Sequence, residues 1–184
     1  MSFLELAKNR YSSRNYLAKS VEREKIERCL EAGRLAPSAT NAQPWHFIIV
    51  DEPELKQAVA KATLGPVGSI NKFVVKAPVL IAVVAEKRRL LHRLHARIKK
   101  RPVHLIDIGI CAEHICLQAV EEGLATCMLG WFKDEEVKRL LAIPEGGSVE
   151  LIITLGYPAD EVRKKKRKSL EEISSYNRYS KKGR

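Results

Sequence analysis

The sequence lacks the residue groupings that usually indicate a metal site, a nucleotide-binding loop or a nucleophilic enzyme. Its four cysteines (Cys29, Cys111, Cys116 and Cys127) include no C-x-x-C pair, and its five histidines form no H-E-x-x-H motif. It also has no G-x-G-x-x-G, no P-loop and no G-x-S-x-G motif. We therefore expect buried free thiols, no bound metal and no catalytic side chain of these classes.

Long apolar runs are also missing. The longest, Ala77 to Ala85, is well short of the roughly 18 residues that a membrane span requires. The N-terminus, Met1 to Lys8, has neither the basic start nor the small-residue cleavage site of a secretory signal. With 184 residues, 45% of them apolar and 30% charged, the chain is expected to form a single globular domain in the cytoplasm, without a membrane segment.

Positive charge is abundant but concentrated in two places. The formal net charge is +11, and residues 87–101 carry eight Lys or Arg while residues 163–184 carry ten. Outside these segments acidic residues outnumber basic ones, 20 to 15. This distribution makes a nucleic-acid role unlikely and suits local anion sites or exposed amphipathic surfaces. Leu90, Leu91, Leu94 and Ile98 predict a basic amphipathic helix over 86–100, either a solvated surface helix or one that docks on a partner or a membrane.

Hydrophobic periodicity predicts helices that alternate with short apolar strands. Strands are expected at 46–50, 79–85, 124–129 and 149–155. Helices are expected from a Ser20 cap to about Gly33, over 53–62, from an Asp107 cap to Gly123, and over 134–141. The helix after Asp107 has little polar surface and is predicted to be central. The fold class is therefore α+β, with a small sheet between helices.

Three polar clusters interrupt this pattern. One follows the first helix at Arg10–Arg14, one precedes the first strand at Pro37–Trp45, and one lies near the C-terminus at Lys165–Lys168. Cations beside a serine hydroxyl suit a phosphate, because both supply the donors that its oxygens need. Asn41 and Gln43, between prolines, suit the polar edge of a flat heteroaromatic ring, because an amide offers both a donor and an acceptor.

Seven short segments in order along the chain carry a family resemblance. They are Arg10–Arg14, Ala36–Trp45, Asp107–Gly109, Gly123–Thr126, Leu129–Gly130, Leu155–Pro158 and Lys165–Arg167. In this order they resemble the FMN-dependent nitroreductases, and the second segment is the most specific. The resemblance implies a three-layer α+β fold with a small, mostly antiparallel sheet, in a domain-swapped homodimer. Residues 1–184 then form one FMN-binding domain, in which about 160–184 is a basic extension that wraps the partner subunit.

The resemblance also implies roles for individual residues. It places the cations and Ser12 at the FMN phosphate and ribityl chain, and Asn41 beside the isoalloxazine ring. The backbone amides of Leu129 and Gly130 would lie near the hydride-accepting nitrogen, where a glycine permits close approach. The implied FMN-binding residues are Arg10, Tyr11, Ser12, Arg14, Pro37, Ser38, Thr40, Asn41, Gln43, Leu129, Gly130, Lys165 and Arg167.

The predicted function is an NAD(P)H-dependent flavin oxidoreductase that reduces nitroaromatic, quinone or related acceptors by a ping-pong mechanism. FMN would carry the chemistry, with no catalytic side chain. The basic segment at 87–101 would favour NADPH over NADH by attracting its extra phosphate. Two alternatives are a basic module associated with nucleic acid and a flavin-binding protein without turnover.

Overall fold

The computed structural model describes residues 1–64, 70–86, 102–162 and 164–180. The helices are α1 (Phe3–Asn9), α2 (Arg23–Arg34), α3 (Pro53–Ala62), α4 (Val103–Glu121), α5 (Asp134–Leu140) and α6 (Leu170–Ile173). The strands are β1 (Trp45–Val50), β2 (Val79–Ala85), β3 (Ala125–Leu129) and β4 (Ser148–Gly156), and 3-10 turns occupy Ala39–Asn41 and Lys72–Lys76. The basic helix predicted over 86–100 falls, from residue 87 onward, outside the described residues.

The four strands form one sheet in the order β1-β2-β4-β3, and every pairing between them is antiparallel. Strand β2 is buried along its whole length. Because successive side chains of a strand point to opposite faces, Leu80 and Ala82 pack in the core on the α3 and α5 side, whereas Ile81 and Val83 pack against α2 and α4. The predicted α+β arrangement, a small sheet between two helical layers, is confirmed.

Helix α4 lies at the centre of one layer, as predicted. Ile108, Cys111, Ile115 and Ala119 recur at helical spacing and are fully or almost fully buried against α2 and the sheet. A Cβ added at Gly33 of α2 would lie 2.7 Å from Ile115, so this close helix contact requires a glycine. By length and composition alone α4 could also cross a membrane, since an apolar window of it has a mean hydropathy of 1.4. The core helices of globular proteins can have the same length and hydropathy, so the absence of a membrane segment stays a prediction.

The predicted start of α2 is wrong. The helix begins at Arg23, after Glu22, and not after a Ser20 cap. Val21 packs against the core, which keeps this part of the chain extended. The Glu22 carboxylate accepts a hydrogen bond from the Tyr157 hydroxyl at 2.6 Å, so tertiary contacts override the local capping preference.

The predicted start of α4 is also wrong. The helix begins at Val103, four residues before the expected Asp107 cap. Asp107 lies inside the helix, is buried, and its Oδ1 accepts a hydrogen bond from the backbone amide of Ala39 at 3.1 Å. Its carboxylate therefore connects α4 to the loop before β1 and does not cap its own helix.

All four cysteines are free and buried, as predicted. Burial raises the pKa of the Cys29, Cys111 and Cys116 thiols to about 12. These thiols are therefore neutral near pH 7 and act as small apolar groups in the core.

The buried thiols predict a loss of stability at alkaline pH. Because the folded pKa values lie above those of the unfolded chain, the stabilisation is complete below about pH 9 and is lost as pH rises toward the folded values. We expect the urea midpoint to fall between about pH 9 and 10.5 under reducing conditions, and to fall less steeply in a Cys29→Ala/Cys116→Ala variant. Equal pH dependence in the two proteins would contradict this assignment.

Candidate functional site

The Arg10–Arg14 segment lies along the outer edge of β3, the last strand of the sheet. The Ser13 amide donates a hydrogen bond to the Thr126 carbonyl at 3.0 Å, within a short parallel bridge between Ser12 and Thr126. Ser13 is fully buried, whereas its neighbours Ser12 and Arg14 are exposed. This alternation is that of an extended strand with one face inward, and it presents the site residues on the other face.

Three cations converge at the start of this segment. Burial lowers the pKa of the Lys165 ammonium, and the nearby positive charges of Arg10 and Arg167 lower it further. Glu113 on α4 partly balances them, with its carboxylate 3.3 Å from the Arg10 guanidinium. The Lys165 ammonium also donates a hydrogen bond to the Ala7 carbonyl at the end of α1. Neighbouring cations, with Arg10 held by Glu113 and Lys165 by the Ala7 carbonyl, form an electrostatic site for an anion such as a phosphate.

A cleft of about 170 Å³ opens at the end of β3 next to Arg14. Among the described residues its lining is mostly apolar and consists of Arg14, Thr63, Leu64, Ile70, Asn71, Phe73, Cys127, Met128, Leu129, Gly130 and Trp131. The Arg14 guanidinium carbon lies 5.9 Å from the centre of the Phe73 ring. A cleft of this volume is smaller than the roughly 300–1,000 Å³ of complete small-molecule sites, so the described residues supply only part of an enclosure.

The cleft is open at Gly130, which has no side chain. A Cβ added there would meet nothing within 4 Å, so a side chain would fill space that the chain leaves free. Leu129, just before it, is buried at the end of β3 and fixes the position of the following backbone. A planar ligand could therefore approach the backbone closely at this point.

Cys127 is the one ionisable group besides Arg14 among the described residues that line the cleft. Burial raises the pKa of its thiol, and the Arg14 charge lowers it in part. The thiol is therefore neutral near pH 7, and the described lining contains no carboxylate and no imidazole. This part of the chain can bind and orient a ligand, but it supplies no evident general acid or base.

The Pro37–Pro44 loop forms a second, separate cluster. Ser38 Oγ accepts a hydrogen bond from the Gln43 amide at 2.9 Å, and the Gln43 side-chain amide donates to Asn41 Oδ1 at 3.0 Å. Thr40, Asn41 and Gln43 have φ values of 54°, 54° and 45°. Positive φ is costly for these residues, a β-branched threonine above all, and such strain is concentrated at functional sites.

The structure thus brings some of the predicted residues together and keeps others apart. Arg10, Lys165 and Arg167 form the cation cluster, and Arg14, Leu129 and Gly130 line the cleft. The loop cluster precedes β1, which is at the opposite edge of the sheet from β3, and none of its residues lines the cleft. Tyr11 directs its hydroxyl to Asp160, at 2.9 Å from the carbonyl oxygen and 3.1 Å from Oδ1.

Sequence reasoning missed two residues that shape the cleft. Asn71 is buried and its side-chain nitrogen donates to the carbonyls of Thr63 and Trp131, at 2.9 and 3.2 Å. Trp131 is 65% exposed at the edge of the cleft, an unusual exposure for a tryptophan. Only the position of Trp131 directly after Leu129 and Gly130 could have indicated it, and no motif marks Asn71.

Comparisons with known proteins show a family and a fold for this chain. The family model of the Nitroreductase family matches residues 7–157. A relative from Archaeoglobus fulgidus, whose name proposes an NADH dehydrogenase or NAD(P)H nitroreductase, is 32% identical over 164 residues, which cover 86% of each chain. The crystal structure of a nitroreductase family protein from Clostridium difficile 630 has a TM-score of 0.80 at 31% identity and covers 97% of this chain and 100% of its own. An FMN-dependent nitroreductase from Clostridium difficile R20291 has a TM-score of 0.78 at 28% identity, covering 95% and 99%.

Proposed function

Because the chain belongs to the nitroreductase family, we propose that it is a flavin oxidoreductase. It binds FMN and uses NAD(P)H to reduce nitroaromatic, quinone or related acceptors. The similar proteins whose names contain NAD(P)H nitroreductase and FMN-dependent nitroreductase support this proposal. The observation that carries it is the convergence of Arg10, Lys165 and Arg167 near an apolar cleft that is open at Gly130.

The residues present fit the two chemically different ends of FMN. The Arg10, Lys165 and Arg167 cluster would hold the phosphate, and Ser12 and Arg14 would reach the ribityl chain from the exposed face of their strand. The backbone at Leu129 and Gly130 would lie against the ring system, with Phe73 excluding water from one side of the cleft. FMN, when bound, would supply the hydride and electron transfer itself.

The loop cluster of Ser38, Thr40, Asn41 and Gln43 would complete the site in a homodimer. Within one chain this loop lies away from the cleft, so we propose that Asn41 of the partner subunit reaches the ring. Large apolar side chains that a monomer would leave in water support an interface. They are Phe3 and Leu4 on α1, Leu105 and Ile106 on α4, and Leu170, Ile173, Tyr176 and Tyr179 in the tail, each at least 43% exposed.

The first test is the phosphate contact. We expect Arg10→Ala to weaken FMN binding roughly 10- to 150-fold, because a charge-assisted hydrogen bond contributes on the order of 1.5–3 kcal/mol. Lys8→Ala removes an equal charge from the exposed last turn of α1 and is expected to change binding by less than about threefold, since surface charges are screened. Quenching of flavin fluorescence on titration with apoprotein measures both dissociation constants. An unchanged constant in Arg10→Ala would remove this residue from the phosphate site.

The second test is the assembly. Sedimentation equilibrium is expected to give twice the 20.8 kDa chain mass, because the proposed site needs the polar loop of a second subunit. Obligate interfaces of this kind commonly bury more than about 2,000 Å². Leu170→Ser/Ile173→Ser is expected to weaken the dimer, whereas Glu171→Gln on the same helix is the matched control. A stable FMN-bound monomer would contradict the shared site.

The third test is the kinetic mechanism. If donor and acceptor occupy the same cleft in turn, double-reciprocal plots for a nicotinamide and a quinone or nitroaromatic are expected to be parallel. Intersecting lines would indicate a ternary complex and contradict a single shared cleft. Bound FMN with no NAD(P)H oxidation in the presence of any such acceptor would favour a flavin-binding protein without turnover.

A further inference from the structure

The proposed phosphate site combines residues of the N-terminal segment with residues near the C-terminus. A short pairing between the backbones of these two segments joins them. As the chain leaves β4 it runs beside the N-terminal segment, with hydrogen bonds from the Leu17 amide to the Tyr157 carbonyl and from the Ala159 amide to the Asn15 carbonyl, both at 3.0 Å. An isolated antiparallel bridge between Tyr16 and Pro158 lies between them. This backbone pairing ends at the residue before Asp160.

Asp160 continues the connection with its side chain. Its Oδ1 accepts a hydrogen bond from Ser13 Oγ at 2.7 Å and lies 3.1 Å from the Tyr11 hydroxyl. The Tyr11 hydroxyl is also 2.9 Å from the Asp160 carbonyl oxygen. The Ser13 hydroxyl also lies 3.0 Å from the Asn15 carbonyl, so its single proton has two acceptors, of which the carboxylate is the closer. Because hydrogen bonds to a carboxylate are stronger than those between neutral groups, Asp160 is the favoured acceptor for Ser13 and contacts the Tyr11 hydroxyl as well.

Tyr11 and Ser13 alternate along the chain with the proposed FMN-binding residues. In an extended segment, residues two apart lie on the same face, so Tyr11 and Ser13 share one face while Arg10, Ser12 and Arg14 share the other. The burial of Ser13 beside the exposed Ser12 and Arg14 agrees with this arrangement. A group that fixes the inner face therefore fixes the direction of the outer one.

Asp160 also precedes the tail cations by only a few residues. Lys165 and Arg167 follow it in sequence within the described range 164–180, and the charges of Arg10 and Arg167 lie close enough to Lys165 to lower its pKa. The clamp, which we define as Tyr11, Ser13 and Asp160, thus lies where the N-terminal and C-terminal contributions to the cation cluster are joined. It contacts neither set of cations directly through the hydrogen bonds described above, and it can act on them only by placing their backbones.

We propose that Asp160 is a positioning residue for the FMN phosphate: its carboxylate holds Ser13 and, together with its carbonyl oxygen, Tyr11, so that Arg10 faces the anion together with Lys165 and Arg167. This inference rests on the proposed function, because it requires the cation cluster to bind the phosphate. It assigns a role in anion binding to an acidic residue, which by its charge alone would weaken the binding of a phosphate.

Paired titrations with FMN and riboflavin test the role. Riboflavin lacks the phosphate but has the same ring and ribityl chain, so a role in positioning Arg10 at the phosphate predicts a loss confined to FMN. We expect Asp160→Ala to raise the dissociation constant of FMN about tenfold, with that of riboflavin changed less than about twofold. Asp160→Asn keeps an accepting oxygen and is expected to stay within about threefold of the original protein for both ligands.

Three further variants control this experiment. Glu161→Ala removes the same charge from the exposed neighbouring residue and is expected to leave the FMN to riboflavin ratio unchanged. Tyr11→Phe removes one clamp hydroxyl and keeps the ring, so it should show the same selective loss of FMN even if Asp160→Ala does not fold. Arg10→Ala reports whether the phosphate site itself is correctly assigned.

The outcomes separate this inference from the proposed function. If Arg10→Ala changes the ratio while Asp160→Ala and Tyr11→Phe do not, the clamp is wrong and the phosphate site remains. If Arg10→Ala also leaves the ratio unchanged, both are overturned. Equal losses of FMN and riboflavin in Asp160→Ala would show that the residue only stabilises the fold.

Discussion

The hydrogen bond from the Ser13 amide to the Thr126 carbonyl, 3.0 Å long, is the contact on which the proposed site depends. It ties the N-terminal segment to the edge of β3, and β3 in turn leads directly into Leu129 and Gly130. A single short pairing therefore places an arginine-rich segment and a glycine-edged cleft on the same side of the sheet. It lies one residue before Arg14 and so contributes directly to the position of Arg14 beside Phe73 and the cleft.

A buried hydrogen-bond network supports this contact from within the core. The Tyr16 hydroxyl and Thr154 Oγ1 form a 2.6 Å hydrogen bond in which either oxygen can be the donor. Thr154 Oγ1 also accepts a hydrogen bond from the Cys127 amide at 3.0 Å. Burial raises the pKa of Tyr16, so this phenol is neutral throughout the physiological range. Because unpaired buried polar groups are costly, the network permits few alternative positions for the segment.

The strands were predictable because each is a short, mostly apolar run with polar or turn-forming neighbours, and all but β3 are rich in β-branched residues. Each predicted strand lies within one residue of the observed bounds, and helix α3 begins and ends where Pro53 and Ala62 were predicted to place it. The errors concern Ser20 and Asp107, where a capping residue type was interpreted locally although tertiary contacts decide the helix start. Local propensity has no information about such contacts.

The residue types of the site, and the chemical groups that they suit, were predictable from the sequence. Their positions relative to one another were not. Cations beside Ser12 and amides between prolines indicated a phosphate and a flat ring, whereas the distance between the loop at Asn41 and the cleft at Gly130 depends on the strand order β1-β2-β4-β3. Strand order is a property of the whole chain, and periodicity does not reveal it. The separation of the two clusters gives the proposed homodimer a chemical reason, since a second subunit would supply the polar loop that one cleft lacks.

The measurement that tests the central claim most directly is a crystal structure of the protein with FMN bound. The account predicts that the phosphate lies within about 3 Å of the Arg10 guanidinium and the Lys165 ammonium, and that the ring lies against Leu129 and Gly130 with Asn41 of the partner subunit beside it. A phosphate bound away from these cations, or a ring enclosed entirely by one chain, would contradict it.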